Sequence, residues 1–290
     1  MLVCLLLPVL ATGCHSHTDR HSTTGVTSTA ATDLVLSDYD RESLRLSANV
    51  ETSLEAVNNA GRDCLRSRGV DDTIDEVHPG LGEYLTWPDG RDALNRRYQY
   101  VSEEMATRDG FAPPSLRDTG DYIGPPEEEW TRAVLGSGTE SEPAPGSCLA
   151  EIYERFSPNK KRLDALSATI ADILGSAESA SEAAVREKEP VWADCMANNG
   201  LGRYRTIRSV TTRDGDENGD DLWPGKTAGN DEKNVASVSG RCMIESGYLH
   251  AVSAAEATSV NSSLREHPRL LHEWVGLMGD QIDRALNAGR

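Results

Sequence analysis

The chain has 290 residues and a formal net charge of −18, with hydrophobic residues at 38% and aromatics at 5%. The negative field argues against nucleic acid as a partner, because it repels phosphate. With phenylalanine only at Phe111 and Phe156, a core has to be built from Leu, Val, Ile, Ala and Met, which predicts packed helices and an all-α fold rather than a β-sandwich.

The chain opens on its only strongly apolar run, Leu2–Leu10, followed by Ala11, Thr12 and Gly13 and then by the polar stretch from His15 to Arg20. The run is shorter than the roughly 20 residues a membrane span needs, but suits the core of an export signal. Ala11-Thr12-Gly13-Cys14 resembles a bacterial lipobox. That resemblance implies cleavage after Gly13, residues 1–13 being the signal peptide, and a diacylglyceryl thioether on Cys14. No Lys or Arg stands ahead of the apolar run, so the true start is expected upstream. The mature protein is then exported and anchored to the outer face of the cytoplasmic membrane through its lipid. Residues 14–37 are rich in Ser and Thr and read as a flexible tether. His15, His17 and His21 fall within it and are taken as solvated linker residues.

A helix is expected from Asp40, its apolar face carried by Leu44, Ala48, Val50, Leu54, Val57 and Cys64, with Gly69 as its stop. Residues 70–90 hold Pro79, Gly80, Gly82, Pro88 and Gly90 and read as a loop. Short helices follow at Arg91–Arg97, Glu103–Arg108 and Pro126–Leu135. Glu127, Glu128 and Glu129 suit the positive end of the last dipole. After the turn-rich stretch Gly136–Gly146, helices are expected at Ser147–Phe156, Lys160–Leu174 and Ser176–Asn199, the last bent at Pro190 and ended by Gly200. Arg203–Val210 alternates enough to predict a short strand. Further helices are expected over Asp231–Ser246 and Tyr248–Ala288, the latter interrupted near Pro268. Trp192 and Trp274 are expected as core anchors.

Six cysteines are present. With Cys4 in the leader and Cys14 acylated, Cys64, Cys148, Cys195 and Cys242 remain, an even number suited to an oxidising compartment. Four cysteines allow three pairings. The sequence-adjacent one, Cys64–Cys148 with Cys195–Cys242, is expected, and loops of that size stabilise by roughly 4–5 kcal/mol each in the chain-entropy model. No C-x2-C spacing supports zinc. Three of these cysteines share a local pattern: Asp63-Cys64-Leu65 before Gly69, Asp194-Cys195-Met196 before Gly200, and Arg241-Cys242-Met243 before Gly247. Each reads as a staple on the last turn of a helix. Two halves are expected, 38–157 and 158–290, each with one bridge, the shared pattern arising either from duplication or from the repeated need for the same staple.

The same pieces extend into a wider resemblance. Arg97-Tyr98 precedes Met105-Ala106 and Gly110-Phe111; Ala133-Val134-Leu135-Gly136 precedes Gly146-Ser147-Cys148. Trp192-Ala193-Asp194-Cys195-Met196 is followed by Gly200, then by Val235-Ala236 and Arg241-Cys242, with Trp274 and Gln281 near the C-terminus. In this order they resemble a group of uncharacterised actinobacterial cell-envelope lipoproteins. The resemblance implies an exported location and a helical fold, and brings no activity with it.

Candidate chemistry is thin. Asp214, Asp216, Asn218 and Asp220 fit the first half of a calcium loop. Leu222 stands at the ninth position and Gly225 at the twelfth, where a bidentate Glu belongs, so any calcium binding is weak. Ser157-Pro158-Asn159-Lys160 matches S-x-x-K, but the supporting S-D-N and K-T-G elements are absent. Gly225-Lys226-Thr227 matches the end of a phosphate loop without its first Gly. The expectation is therefore a non-catalytic binding or structural module of the cell envelope, its partner an envelope protein or wall component. The alternatives are a wall hydrolase using paired carboxylates, or a weak calcium-dependent adhesin.

Overall fold

A computed structural model describes residues 34–70, 80–111, 127–210 and 228–288. The expected signal peptide, Cys14, most of the expected tether and the calcium candidates Asp214, Asp216, Asn218 and Asp220 lie outside the described residues. The fold is all-helical, with no strand among the described residues.

The first described residues belong to the folded domain rather than to the tether expected to run to residue 37. Leu34 is buried, and the Val35 N–H donates to Ser253 Oγ at 3.0 Å. Ser37 then starts helix α1 (Asp38–Ser47) by a capping box. Asp40 Oδ2 accepts from the Ser37 N–H at 2.9 Å and from its hydroxyl at 2.7 Å.

The single helix expected from Asp40 is two. Helix α1 ends at Ala48–Asn49, and α2 runs Val50–Ser67. Both pack on the last helix, α10 (Leu270–Ala288), but α1 also meets α9 (Tyr248–Glu266), whereas α2 meets the 3₁₀ turn Leu81–Tyr84 and α6 (Cys148–Phe156). The turn at Ala48–Asn49 redirects the chain from one set of partners to the other. Helices α3 (Arg91–Arg97), α4 (Glu103–Asp109) and α5 (Glu127–Leu135) lie where the spacing predicts.

Helix α7 (Lys160–Asn198) runs unbroken through Gly175-Ser176, where two helices are expected from the sequence, and holds Pro190 inside it. A helical glycine costs about 1 kcal/mol. Packing against α9 (Tyr248–Glu266), the most extensive helix pair in the fold, outweighs it. The strand expected over Arg203–Val210 is instead a series of turns ending in a 3₁₀ turn, Arg208–Val210. Tyr204, Ile207 and Val210 are all buried, and their spacing of three suits a 3₁₀ turn, whereas a strand would alternate. Helix α8 spans Asn230–Glu245. The expected break near Pro268 separates α9 from α10 (Leu270–Ala288).

Both bridges form with the sequence-adjacent pairing, each with a Cα–Cα distance of 5.7 Å. The three glycines that follow the cysteine pattern all take the left-handed backbone, with φ of 76° at Gly69, 79° at Gly200 and 68° at Gly247. At Gly69 and Gly200 the pattern is a Schellman stop: Val70 N–H bonds Leu65 O at 3.2 Å and Leu201 N–H bonds Met196 O at 2.9 Å.

Apolar side chains gather in three large clusters and a small fourth one of Val101, Ala106 and Ala236. Trp192, Met196, Met243 and Leu249 centre the first. Val57, Leu149, Ile152 and Phe156 centre the second, and Leu163, Ile170, Trp274 and Met278 the third. Trp192 and Trp274 are both core anchors. Trp274 packs on Tyr39 with ring centroids 5.1 Å apart and donates its indole N–H to Ser167 Oγ at 3.0 Å. Residues on either side of position 157 share these clusters: α10 packs on α1, α2 and α6, and α4 on α8. The halves expected from the cysteine pattern thus fold around common apolar material.

Helix α8 approaches the segment Tyr100–Val101 at Gly240, where an added Cβ would collide with Val101 O. Gly240→Ala is expected to lower unfolding free energy by about 1–3 kcal/mol, as overpacking does. Gly276→Ala on α10, where nothing lies within 4 Å of a new Cβ, should leave stability unchanged or raise it. Urea titration of both variants checks the contrast.

Candidate ligand-binding cleft

A cleft of about 650 Å³ is lined by α7 and α9, by the C-terminus of α3 and by the 3₁₀ turn at Arg208. On α7 the wall is the stripe Gly175, Glu178, Glu182, Val185 and Glu189, with Ser181 beside it. These steps of three and four residues place them on one face. From α9 come Tyr248, Val252 and Glu256, four apart. Leu174, Val185, Ile207 and Val252 make the apolar part of the lining.

Arg97, Tyr98 and Gln99 enter from the end of α3. Here the chain makes the same Schellman stop as at the cysteine staples: Tyr100 N–H bonds Asn95 O at 2.7 Å and Gln99 N–H bonds Arg96 O at 3.0 Å. The left-handed position, however, is Gln99 with φ of 53°. Glycine normally fills it, and a residue with a Cβ costs roughly 1–2 kcal/mol there. Gln99 Oε1 is enclosed and accepts no hydrogen bond, and Arg97 Nε is enclosed without an acceptor. Strain and unsatisfied polar atoms coincide at the cleft wall, as they do at functional sites.

Four glutamates, Glu178, Glu182, Glu189 and Glu256, line the cleft against three arginines, Arg97, Arg186 and Arg208. Arg97 binds the buried Asp40 and lies over the Tyr98 ring, 5.1 Å from its centroid. Arg186 pairs with Glu182 at 3.2 Å. Glu189 Oε1 accepts the Ile207 N–H at 2.9 Å. Glu256, 8% exposed, accepts from Ser181 Oγ at 3.1 Å and is hydrogen-bonded to Tyr98. Burial pushes the Glu256 carboxyl above its ordinary value, and Glu178 adds to the rise; Ser181, Arg97 and Tyr98 oppose it. Burial raises the Tyr98 phenol as well. The Tyr248 phenol is pushed up to about 12 by burial and by Glu189 and Glu256.

A hydrolytic pair needs carboxyls whose environments pull them apart. Glu142, Glu187 and Glu273 are held low, by Lys161, Lys188 and Arg162 respectively, but these are exposed surface pairs away from the cleft. The S-x-x-K pair is also not assembled: Lys160 is bound to Asp164 and sits 4.9 Å over the Tyr153 ring. Cys195, Cys242 and Glu245 come close enough to suggest a metal, but both sulfurs are consumed in a bridge and offer no thiolate. No described helix is long and apolar enough to cross a membrane.

Sequence reasoning singles out none of Gln99, Glu178, Glu189 or Glu256. The available signal is the small and charged stripe on α7, which replaces the apolar one expected of a helix packed along its length. No family model, curated protein or solved structure matches the chain.

Because the native fold raises the Glu256 pKa above the ordinary 4.5, it favours the neutral acid. The stabilising effect of that preference is complete below the unfolded value and is lost as pH rises through the native one. Glu256→Gln, a permanent mimic of the neutral form, should therefore gain stability relative to wild type as pH is raised from about 4 to about 7. Thermal midpoints measured across that range check the sign.

Proposed function

We propose that this protein is an exported lipoprotein, held through acylated Cys14 at the outer face of the cytoplasmic membrane, that binds a small amine-bearing ligand in the α7–α9 cleft. The reading takes the chain to be one of the actinobacterial envelope lipoproteins it resembles, and a non-catalytic member. Two bridges accord with an oxidising compartment outside the cytosol. The tether from Cys14 to Asp33 lets the domain stand clear of the membrane.

The observation that carries the binding role is Gln99. A strained backbone position that glycine would fill without cost instead presents an enclosed carbonyl oxygen with no donor. An ammonium group that draws the Gln99 amide into the cleft it lines supplies those N–H donors. Glu178, Glu189 and Glu256 supply the opposite charge, and the Tyr248 ring, which also lines the cleft, is suited to a cation. The net charge of −18 concentrates cations around the molecule. The apolar lining suits the carbon skeleton that carries the amine.

Titration of isotope-labelled protein with 1,5-diaminopentane is expected to shift amide resonances of α7, α9 and Tyr98–Tyr100, while 1-pentanol leaves them unmoved. Gln99→Gly should retain or raise the melting temperature and weaken diaminopentane binding at least tenfold. Equal responses to both probes, or a Gln99→Gly variant that binds as wild type does, would dismiss the amine site. Separately, Cys14→Ala is expected to abolish fatty-acid labelling and release the protein from membranes. Labelling that survives the substitution would remove the anchor.

A further inference from the structure

The two bridges sit in opposite electrostatic surroundings, and that difference is independent of the cleft. Cys148 is the first residue of α6, directly after its N-cap Ser147. Its sulfur therefore faces the positive end of a helix dipole. The Arg68 guanidinium lies against both sulfurs of the bridge, with Nη1 in contact with Cys64 Sγ and 2.9 Å from Cys148 Sγ. Its other nitrogen reaches Gly146 O and pairs with Glu151 at 2.8 Å. Cys64 occupies the last turn of α2, at the negative dipole end, and Glu151 Oε2 stands 3.4 Å from its sulfur. The α6 terminus thus favours a thiolate on Cys148, while the α2 terminus and Glu151 disfavour one on Cys64; Arg68, in contact with both sulfurs, eases opening of the bridge as a whole.

The second bridge has no such asymmetry. Cys195 and Cys242 both lie in the C-terminal turns of their helices. Glu245 Oε2 is 3.5 Å from Cys195 Sγ. The nearby Arg241 is directed to Asn199 Oδ1 at 2.8 Å and to Glu245 at 3.8 Å.

We propose that Cys64 is a thiol-exchange site that accepts a low-molecular-weight thiol. The incoming thiolate attacks Cys64 Sγ, the Cys64–Cys148 bond breaks, and its electron pair leaves on Cys148 as the thiolate held by Arg68 and the α6 N-terminus. A second thiolate attacking the mixed disulfide frees Cys64 and carries away the oxidised small disulfide, so two thiols are oxidised as one bridge is reduced. The direction follows from the leaving group, since the sulfur with the lower pKa departs faster. Access agrees with it: Cys64 is 9% exposed and Cys148 is fully enclosed. The Cys195–Cys242 bridge stays closed under the same conditions.

The test equilibrates the oxidised protein in graded glutathione buffers at mildly alkaline pH, quenches with acid, alkylates, and maps both bridges by peptide mass spectrometry. The equilibrium constant for opening Cys64–Cys148 should exceed that of Cys195–Cys242 at least tenfold, about 30 mV for this two-electron couple. The glutathione adduct should be found on Cys64 in at least tenfold excess over Cys148. Arg68→Gln should erase most of the difference and Arg68→Lys should keep it. Equal constants, opening of Cys195–Cys242 first, or an adduct mainly on Cys148 would each overturn the proposal. These wild-type results decide it even if Arg68→Gln fails to fold. If that variant folds and behaves as wild type, the proposal also fails.

Discussion

Asp40 is the point at which the N-terminal segment, the end of α3 and the cleft are joined. Its Oδ2 closes the capping box with Ser37 and its Oδ1 receives Arg97. Arg97 in turn covers Tyr98, which bonds Glu256 on α9. One buried carboxylate therefore begins a helix and fixes a guanidinium that faces the cleft. Breaking a buried pair by removing one partner costs about 3–5 kcal/mol, because the survivor stays enclosed and uncompensated. Arg97 is only partly enclosed, which puts this pair toward the lower end. The arrangement explains why Leu34–Ser37 are held against the domain: the cap has to be in place for Asp40 to be satisfied.

That chain of contacts also shapes the charge inside the cleft. Arg97 and Arg186 are each engaged with a carboxylate of their own. What remains on the α7 and α9 walls is acidic and phenolic. Glu256 responds to its enclosure by holding its proton more tightly, while hydrogen bonds from Ser181 and Tyr98 partly restore the ionised form. An arriving cation would shift that balance toward the carboxylate, so binding and proton release would be linked.

Much of the fold is legible in the sequence, because its signals are local. Gly69, Gly200 and Gly247 mark helix ends by a backbone that a Cβ resists, and all three do so. Cys195 and Cys242, on two of those final turns, pair with each other, and Cys64, on the third, pairs with Cys148 at the start of α6. Where local signals mislead, tertiary packing decides. Gly175-Ser176 reads as a break, yet α9 holds α7 continuous. Ala48–Asn49 reads as mid-helix, yet the chain turns there from one set of partners to the other. Residues 203–210 alternate like a strand, but the cluster they fill takes Tyr204, Ile207 and Val210 at intervals of three. The cleft is the least legible feature. Gln99 occupies a glycine's position without a glycine to announce it, and Glu256 is one carboxylate in an acid-rich chain.

Helix α7 has 39 residues, about 58 Å at 1.5 Å per residue. Its first turns are anchored by Leu163, Leu166 and Ile170, and its last by Trp192 and Met196, in two different clusters. Between these anchors only Ala177 and Ser181 are buried. Pro190 adds a ladder bond that cannot form, since it has no N–H for the Arg186 carbonyl. The rod is thus sunk into apolar clusters at both tips, while its midsection, where Glu178 to Glu189 line the cleft, carries fewer fully buried side chains. Segments with few buried contacts open at the lowest free energy. An occupant too wide for the resting gap would meet least resistance from this span, because both sulfur bridges lie outside it.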